Sequence, residues 1–190
     1  TAPYYLAFSL NDFERMGSAL KVAPPVKPES NGELLWQALR DGSLSFVASD
    51  HAPAPSEQKR TGSIWTDYAG IPGSGTLLPY LYSEGYRAGR IRLGELTALT
   101  ARNAARRYGI DDRKGALAPG MDADCAIIRE DAEWTVRGDA FLSRGHVTPF
   151  EGARLRGRVE KTVVRGTVVY ESGRGIVVDG GYGRLVRRSS

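Results

Sequence analysis

Residues 45–55 read S-F-V-A-S-D-H-A-P-A-P. The first five are small or apolar and predict a buried strand. Asp50 and His51 then arrive together, and Pro53 and Pro55 stop the strand at once. A carboxylate at the end of a buried strand is costly unless something binds it. In an α/β barrel, that end of a strand is where active sites are built. Asp50 is therefore the leading candidate for chemistry, set against the plainer alternative of a helix cap or turn former.

Upstream, residues 18–22 read as a strand that Ala23, Pro24 and Pro25 terminate. Residues 29–41 predict a helix with Leu34, Leu35, Ala38 and Leu39 on one face, ended by Gly42. Residues 18–49 thus spell strand, helix, strand, a βαβ unit whose strands should lie parallel. Before it, Ser9 and Asp12 have capping-box spacing and Gly17 closes a short helix.

Downstream, residues 54–68 are polar and aperiodic and read as a long loop above the barrel, where function often sits. Residues 76–85 carry Leu77, Leu78, Leu81 and Tyr82 in a helical pattern despite Pro79. Residues 93–108 are the clearest helix, with Leu96, Leu99, Thr100 and Ala104 on a face and Gly109 as the stop. The character changes at Lys114. A turn-rich crossing leads to strands at 124–129, 159–164 and 167–170, with Arg165 and Gly166 as a tight turn.

Composition narrows the function classes. Apolar content of 41% and charged content of 25% over 190 residues are those of a soluble globular protein. No apolar run reaches the length of a membrane span. The formal net charge of +4 includes Arg184, Arg187 and Arg188 near the end, read as a solvated tail. Aromatic and basic residues are not interleaved as on single-stranded nucleic-acid surfaces, so no nucleic-acid partner is expected. A single cysteine, Cys125, excludes an intramolecular disulfide and fits a reducing, cytoplasmic setting. Two histidines, His51 and His146, are too few for a histidine-rich metal site. The chain opens on Thr1 rather than Met, and it is expected to continue a longer protein.

Five segments in order resemble the cyclic amidohydrolases (dihydroorotase, allantoinase, hydantoinase). They are K-V-A-P-P at 21–25, A-S-D-H-A-P at 48–53, A-G-I-P-G at 69–73, K-G-A-L-A-P-G-M-D-A-D at 114–124 and T-P-F-E-G at 148–152. The resemblance implies an α/β fold: the C-terminal part of a (β/α)8 TIM-like metal-dependent hydrolase barrel over 1–112, then a small β-sandwich over 113–190. Three or so strands cannot close a barrel, so these residues alone should misfold or need a partner. The rest of the barrel is expected from residues upstream.

The resemblance also assigns roles. Asp50 matches the residue that binds a divalent metal, zinc in expectation, and moves the proton. His51 is a neighbour that orients the site, and the backbone at Ala69 and Gly70 meets the ring amide. Ala23 stands where dihydroorotases hold substrate with Asn, and Ala54 where many have a second His. Tyr4 stands where the resemblance places a metal-binding His; a neutral phenol is a poor ligand, so Tyr4 reads as a packing residue. An H-x-H, a carboxylated lysine and another His are expected upstream. Asp122, Asp124 and His146 read as structural. The implied partners are a small cyclic amide and further copies of the chain in a homo-oligomer, with no membrane.

Three functions follow. The first is ring opening of a dihydroorotase-like substrate, suggested by D-H-A-P and by G-I-P-G with T-L-L-P-Y-L-Y behind it. The second is allantoinase or hydantoinase activity, toward which K-V-A-P-P and R-V-E-K-T-V-V-R-G point. The third is a non-catalytic scaffold of the same fold, consistent with Tyr4, Ala23 and Ala54.

Overall fold

A computed structural model describes residues 1–188. Pro3–Ala7 forms α1, with Pro3 at the first helical position where its missing N–H costs nothing. Tyr4, which stands where the resemblance places a metal-binding His, thus lies on a helical turn. Leu10–Met16 forms α2. The Asp12 carboxylate accepts from the Ser9 amide at 2.9 Å and from its hydroxyl at 3.1 Å. Gly17 follows with φ +56°, closing the helix. The expected strand at 18–22 is absent: Gly17–Leu20 winds into a 3-10 turn, and Lys21 and Val22 pair in no ladder among the described residues.

Ser30–Arg40 forms α3. It buries Trp36 and Leu39, whereas Leu34, placed on the apolar face by its spacing, is 61% exposed. Trp36 stacks on Tyr80 with ring centroids 6.5 Å apart. The segment 45–49 is extended, yet it pairs in no ladder among the described residues. The Val47 amide donates to Leu99 O at 3.0 Å, and the Ala48 amide to Thr1 O at 2.9 Å. The one parallel pairing nearby is a single bridge between His51 and Ile71. A strand is defined by its neighbours, and the described residues do not place a strand on either side of this one. Among the described residues, no parallel ladder joins residues 18–22 to 45–49, so the expected βαβ unit is not formed.

Leu77–Tyr80 forms α4 and runs on as a π-helical stretch, Leu81–Arg87. Leu93–Thr97 forms α5, Ala98–Arg102 is again π-helical, and Asn103–Tyr108 forms α6, ended by Gly109 at φ +65°. The π turn inserts a residue into the helical count. Leu96 and Leu99 are buried as their spacing requires, but the next buried position is Ala105, not Ala104.

Cys125–Thr135 (β1), Arg154–Val164 (β2), Thr167–Glu171 (β3) and Gly175–Ile176 (β4) make one antiparallel sheet in sequential order. The turn between β2 and β3 has Arg165 at φ +49° and Gly166 at +77°, the two positive values that a tight hairpin needs. In place of the expected sandwich, the described residues hold this single sheet packed on helices. Along β2, Leu155 and Gly157 turn inward between exposed Arg154, Arg156 and Arg158. A Cβ on Gly157 would stand 2.2 Å from the Tyr82 ring, so the bare backbone there is the surface on which Tyr82 rests.

The halves before and after Lys114 share one core. Phe150, from T-P-F-E-G, lies 4.8 Å from the Phe8 ring and 5.5 Å from that of Tyr80. Leu20 and Leu81, fully buried in the same cluster, contribute about 1.5–3 kcal/mol each relative to exposure. Lys114 ties Asp122 at 2.8 Å and also Asp124, whose second oxygen accepts the Arg165 amide at 2.8 Å. The D-A-D carboxylates thus brace the crossing into β1. Near the end, the Arg165 guanidinium lies 4.6 Å over the Tyr182 ring and donates to its carbonyl at 2.7 Å.

Candidate active site

Asp50 sits at φ +43°, in the left-handed region that few residues other than glycine adopt. Proline at 53 and 55 and the pairing of His51 with Ile71 hold the chain there. The carboxylate is exposed, and the Tyr4 hydroxyl donates a short hydrogen bond to its Oδ2. Tyr4 itself is 1% exposed. Burial first, and then the neighbouring carboxylate, push the phenol well above its usual range, so the proton stays on Tyr4. Tyr4 is accordingly a buried hydrogen-bond donor to Asp50.

Three of the resembling segments, together with α1, converge on this point. Tyr5 stacks against Tyr4 at 4.4 Å and donates its hydroxyl to Pro24 O at 2.6 Å, joining α1 to the K-V-A-P-P turn. The Gly70 amide donates to Lys21 O at 2.9 Å, joining that turn to A-G-I-P-G. The Ala52 amide donates to Ile71 O at 2.9 Å, and the Ser74 amide to His51 Nδ1 at 3.2 Å, joining A-G-I-P-G to D-H-A-P. Here glycine is a steric requirement. A Cβ on Gly73 would fall 1.7 Å from Ser49 O, and one on Gly70 2.5 Å from Ala52 O. Ala23 and Ala69 are both exposed beside this junction. Ala54 is buried, and Gly145 approaches it closely enough that a Cβ would lie 2.3 Å from its carbonyl oxygen. His146 bonds Ser143 O at 2.8 Å, a local loop contact in keeping with a structural role.

The polar loop after Pro55 conceals residues that local sequence does not single out. Lys59 is 1% exposed and donates to Gly70 O at 2.8 Å, Tyr68 O at 3.2 Å and Lys21 O at 3.5 Å. Burial lowers its amine from the ordinary lysine value to about 8. Lys21 donates to Ile64 O at 2.5 Å and Asp67 O at 2.6 Å. Asp67 accepts from the Ser18 hydroxyl and from the Thr61 amide at 2.7 Å, and these bonds hold its carboxyl below the usual range. Each of these side chains resembles a solvated loop residue until its backbone partners are placed.

Among the described residues, no three His, Cys, Asp or Glu side chains come together to hold a metal ion. Asp50 is a hard oxygen donor suited to a divalent cation. The described side chains do not by themselves make a metal site. No helix among the described residues is long and apolar enough to cross a membrane.

Comparison with known proteins places this geometry. The chain is 39% identical over 187 residues to an allantoinase of Rubrobacter xylanophilus, covering 98% of the chain and 40% of that protein. It is 36% identical over 190 residues to an L-hydantoinase of Paenarthrobacter aurescens, covering 99% of the chain and 41% of the relative. Its backbone matches the solved L-hydantoinase (dihydropyrimidinase) from Arthrobacter aurescens with a TM-score of 0.94 at 36% identity, over 99% of this chain and 42% of that one. A D-hydantoinase from a Bacillus species matches at 0.92 and 32%, over 100% and 42%. The chain thus spans about two fifths of the length of these relatives. Residues 36–170 match the amidohydrolase family itself. With the D-H-A-P and G-I-P-G segments joined beside Asp50 as described, the chain belongs to the amidohydrolase family.

Proposed function

We propose that the full-length protein hydrolyses the ring C–N bond of a cyclic ureide or hydantoin, with Asp50 as the proton-transfer group. One observation carries the reading. Asp50 stands exposed in a left-handed turn, held by Tyr4 and flanked by the A-G-I-P-G backbone, in a frame that matches an L-hydantoinase at a TM-score of 0.94. The relatives' names favour allantoin or hydantoin rings over the dihydroorotate-like ring toward which D-H-A-P leans.

Amide carbon is a poor electrophile and water a poor nucleophile at neutral pH. The Asp50 carboxylate takes a proton from the attacking water as the C–O bond forms. It returns that proton to the ring nitrogen as the C–N bond breaks, so one carboxylate serves both steps. The backbone of Ala69 and Gly70 can approach the ring amide closely because Gly70 has no side chain, and Ser74 orients His51 beside it. The amidohydrolase family is generally metal-dependent. In this reading a zinc ion has Asp50 as its single ligand from these residues, and an H-x-H, another His and a carboxylated lysine come from outside them.

The same reading takes residues 1–112 as the barrel part and 113–190 as the sheet domain, the last two residues lying outside those described. The change of character at Lys114 supports that division. A cytoplasmic setting and a homo-oligomer belong to the proposal as well; the free Cys125 supports the former. The test is to incubate the full-length, metal-loaded protein with allantoin, hydantoins substituted on the ring carbon, and dihydroorotate. Chromatography of the ring-opened acid reads the outcome. Turnover of allantoin or a hydantoin is expected; no opening of any ring contradicts the proposal.

A further inference from the structure

Lys59 is the one lysine or arginine that the described residues bury, and the proton transfer above does not use it. A buried ammonium is costly unless its charge is met. Here no carboxylate among the described residues forms an ion pair with it. Asp67 spends its oxygens on Ser18 and Thr61. The ammonium donates instead to three carbonyl oxygens, those of Gly70, Tyr68 and Lys21, while the Asp67 carboxylate favours its charge without an ion-pair contact. These carbonyls come from the two segments that flank Asp50. Lys21 begins K-V-A-P-P, and Gly70 lies in A-G-I-P-G directly before Ile71, which pairs with His51. The Gly70 amide already donates to the Lys21 carbonyl that Lys59 also meets, so the ammonium closes a three-way junction of backbone. A methionine would fill the same space without that junction.

We infer that Lys59 is a positioning residue of the proposed ring-opening site: its ammonium fixes the peptide planes at Tyr68 and Gly70, and through Ile71 it holds the backbone that lines the substrate beside Asp50. The inference rests on the proposed function for its kinetic consequence but not for its structural one. In the loop, Lys21 performs the outer part of the same task by gripping the carbonyls of Ile64 and Asp67. The ring amide would therefore meet a backbone edge prepared before it binds, which is the usual way that binding geometry is secured away from the reacting atoms.

The experiment compares wild type with Lys59→Met and Lys59→Gln in the full-length protein. Amide hydrogen exchange at Ala52 and Gly70, which donate to Ile71 O and Lys21 O, reads the junction, and steady-state kinetics on the best ring substrate read the site. Exchange at these amides should quicken at least tenfold in both variants. KM should rise about tenfold while kcat changes less than threefold, because Asp50 is untouched. Unchanged exchange and KM in a folded variant overturns the inference. So does failure of both variants to fold, which would make Lys59 a purely structural residue. If wild type opens no ring, the proposed function falls, and the exchange data still decide the role of Lys59.

Discussion

Replacing Gly73 by alanine isolates the contact that sets Asp50. The added Cβ would stand 1.7 Å from the Ser49 carbonyl oxygen and 2.8 Å from its carbonyl carbon. Ordinary contact begins near 3.4 Å, so the two backbones must part by more than 1 Å, roughly. Gly73 does not have a positive φ, so the penalty is steric and not conformational. The obstacle is backbone, which cannot turn aside as a flexible side chain can, and overpacking of this kind costs about 3 kcal/mol. Ser49 immediately precedes Asp50, so the displacement passes to the carboxylate. A misplacement of about 1 Å lowers turnover roughly 100-fold. Urea unfolding and kcat/KM of the full-length protein measure the two effects. Gly94→Ala is the matched control: nothing lies within 4 Å of the new Cβ, and the site is in α5, where alanine should be neutral or stabilising by up to about 1 kcal/mol. If Gly73→Ala loses less than about 0.5 kcal/mol and keeps its activity within twofold, the account of how Asp50 is positioned is refuted.

Tyr4→Phe removes the hydroxyl that Asp50 accepts and should cost about 1–3 kcal/mol in unfolding free energy, with a lower kcat and little change in KM. Gly157→Ala drives a methyl into the Tyr82 ring at a site with φ +79°. It should destabilise by more than about 2 kcal/mol in thermal or urea unfolding while leaving kcat per folded molecule unchanged. Lys59 gives a pH dependence. Its amine titrates near 8 in the fold and near 10.5 unfolded, so between these values the unfolded chain binds the extra proton and stability rises with pH. The rise is roughly 3 kcal/mol over the whole window and about 2 kcal/mol between pH 7.5 and 9.5, where urea melts should show it in wild type but not in Lys59→Met.

Local chemistry made much of this molecule legible in its sequence. The Ser9–Asp12 box, the Gly109 stop and the Arg165–Gly166 hairpin turn each depend on residues a few positions apart, and each appears as expected. The grouping of D-H-A-P, A-G-I-P-G and K-V-A-P-P followed from family resemblance; periodicity alone would have left three unrelated turns. The parallel ladder failed because hydrogen-bonded neighbours, not local propensity, make a strand, and segment 45–49 has none in a ladder among the described residues. Ala105 replaced Ala104 because a π turn is invisible to a 3.6-residue count. Lys59 was unreadable for a different reason. A lysine in S-E-Q-K looks solvated, and only the carbonyls of Lys21, Tyr68 and Gly70, brought together by the tertiary fold, explain why it is buried.

The most direct measurement is kcat of Asp50→Asn in the full-length, metal-loaded protein, on whichever of allantoin or a hydantoin the wild type opens. Asparagine keeps the shape but cannot carry the proton. The account predicts a fall of about 100- to 10,000-fold, with the unfolding transition near that of wild type. Turnover within tenfold of wild type would contradict the assignment of Asp50 as the group that moves the proton.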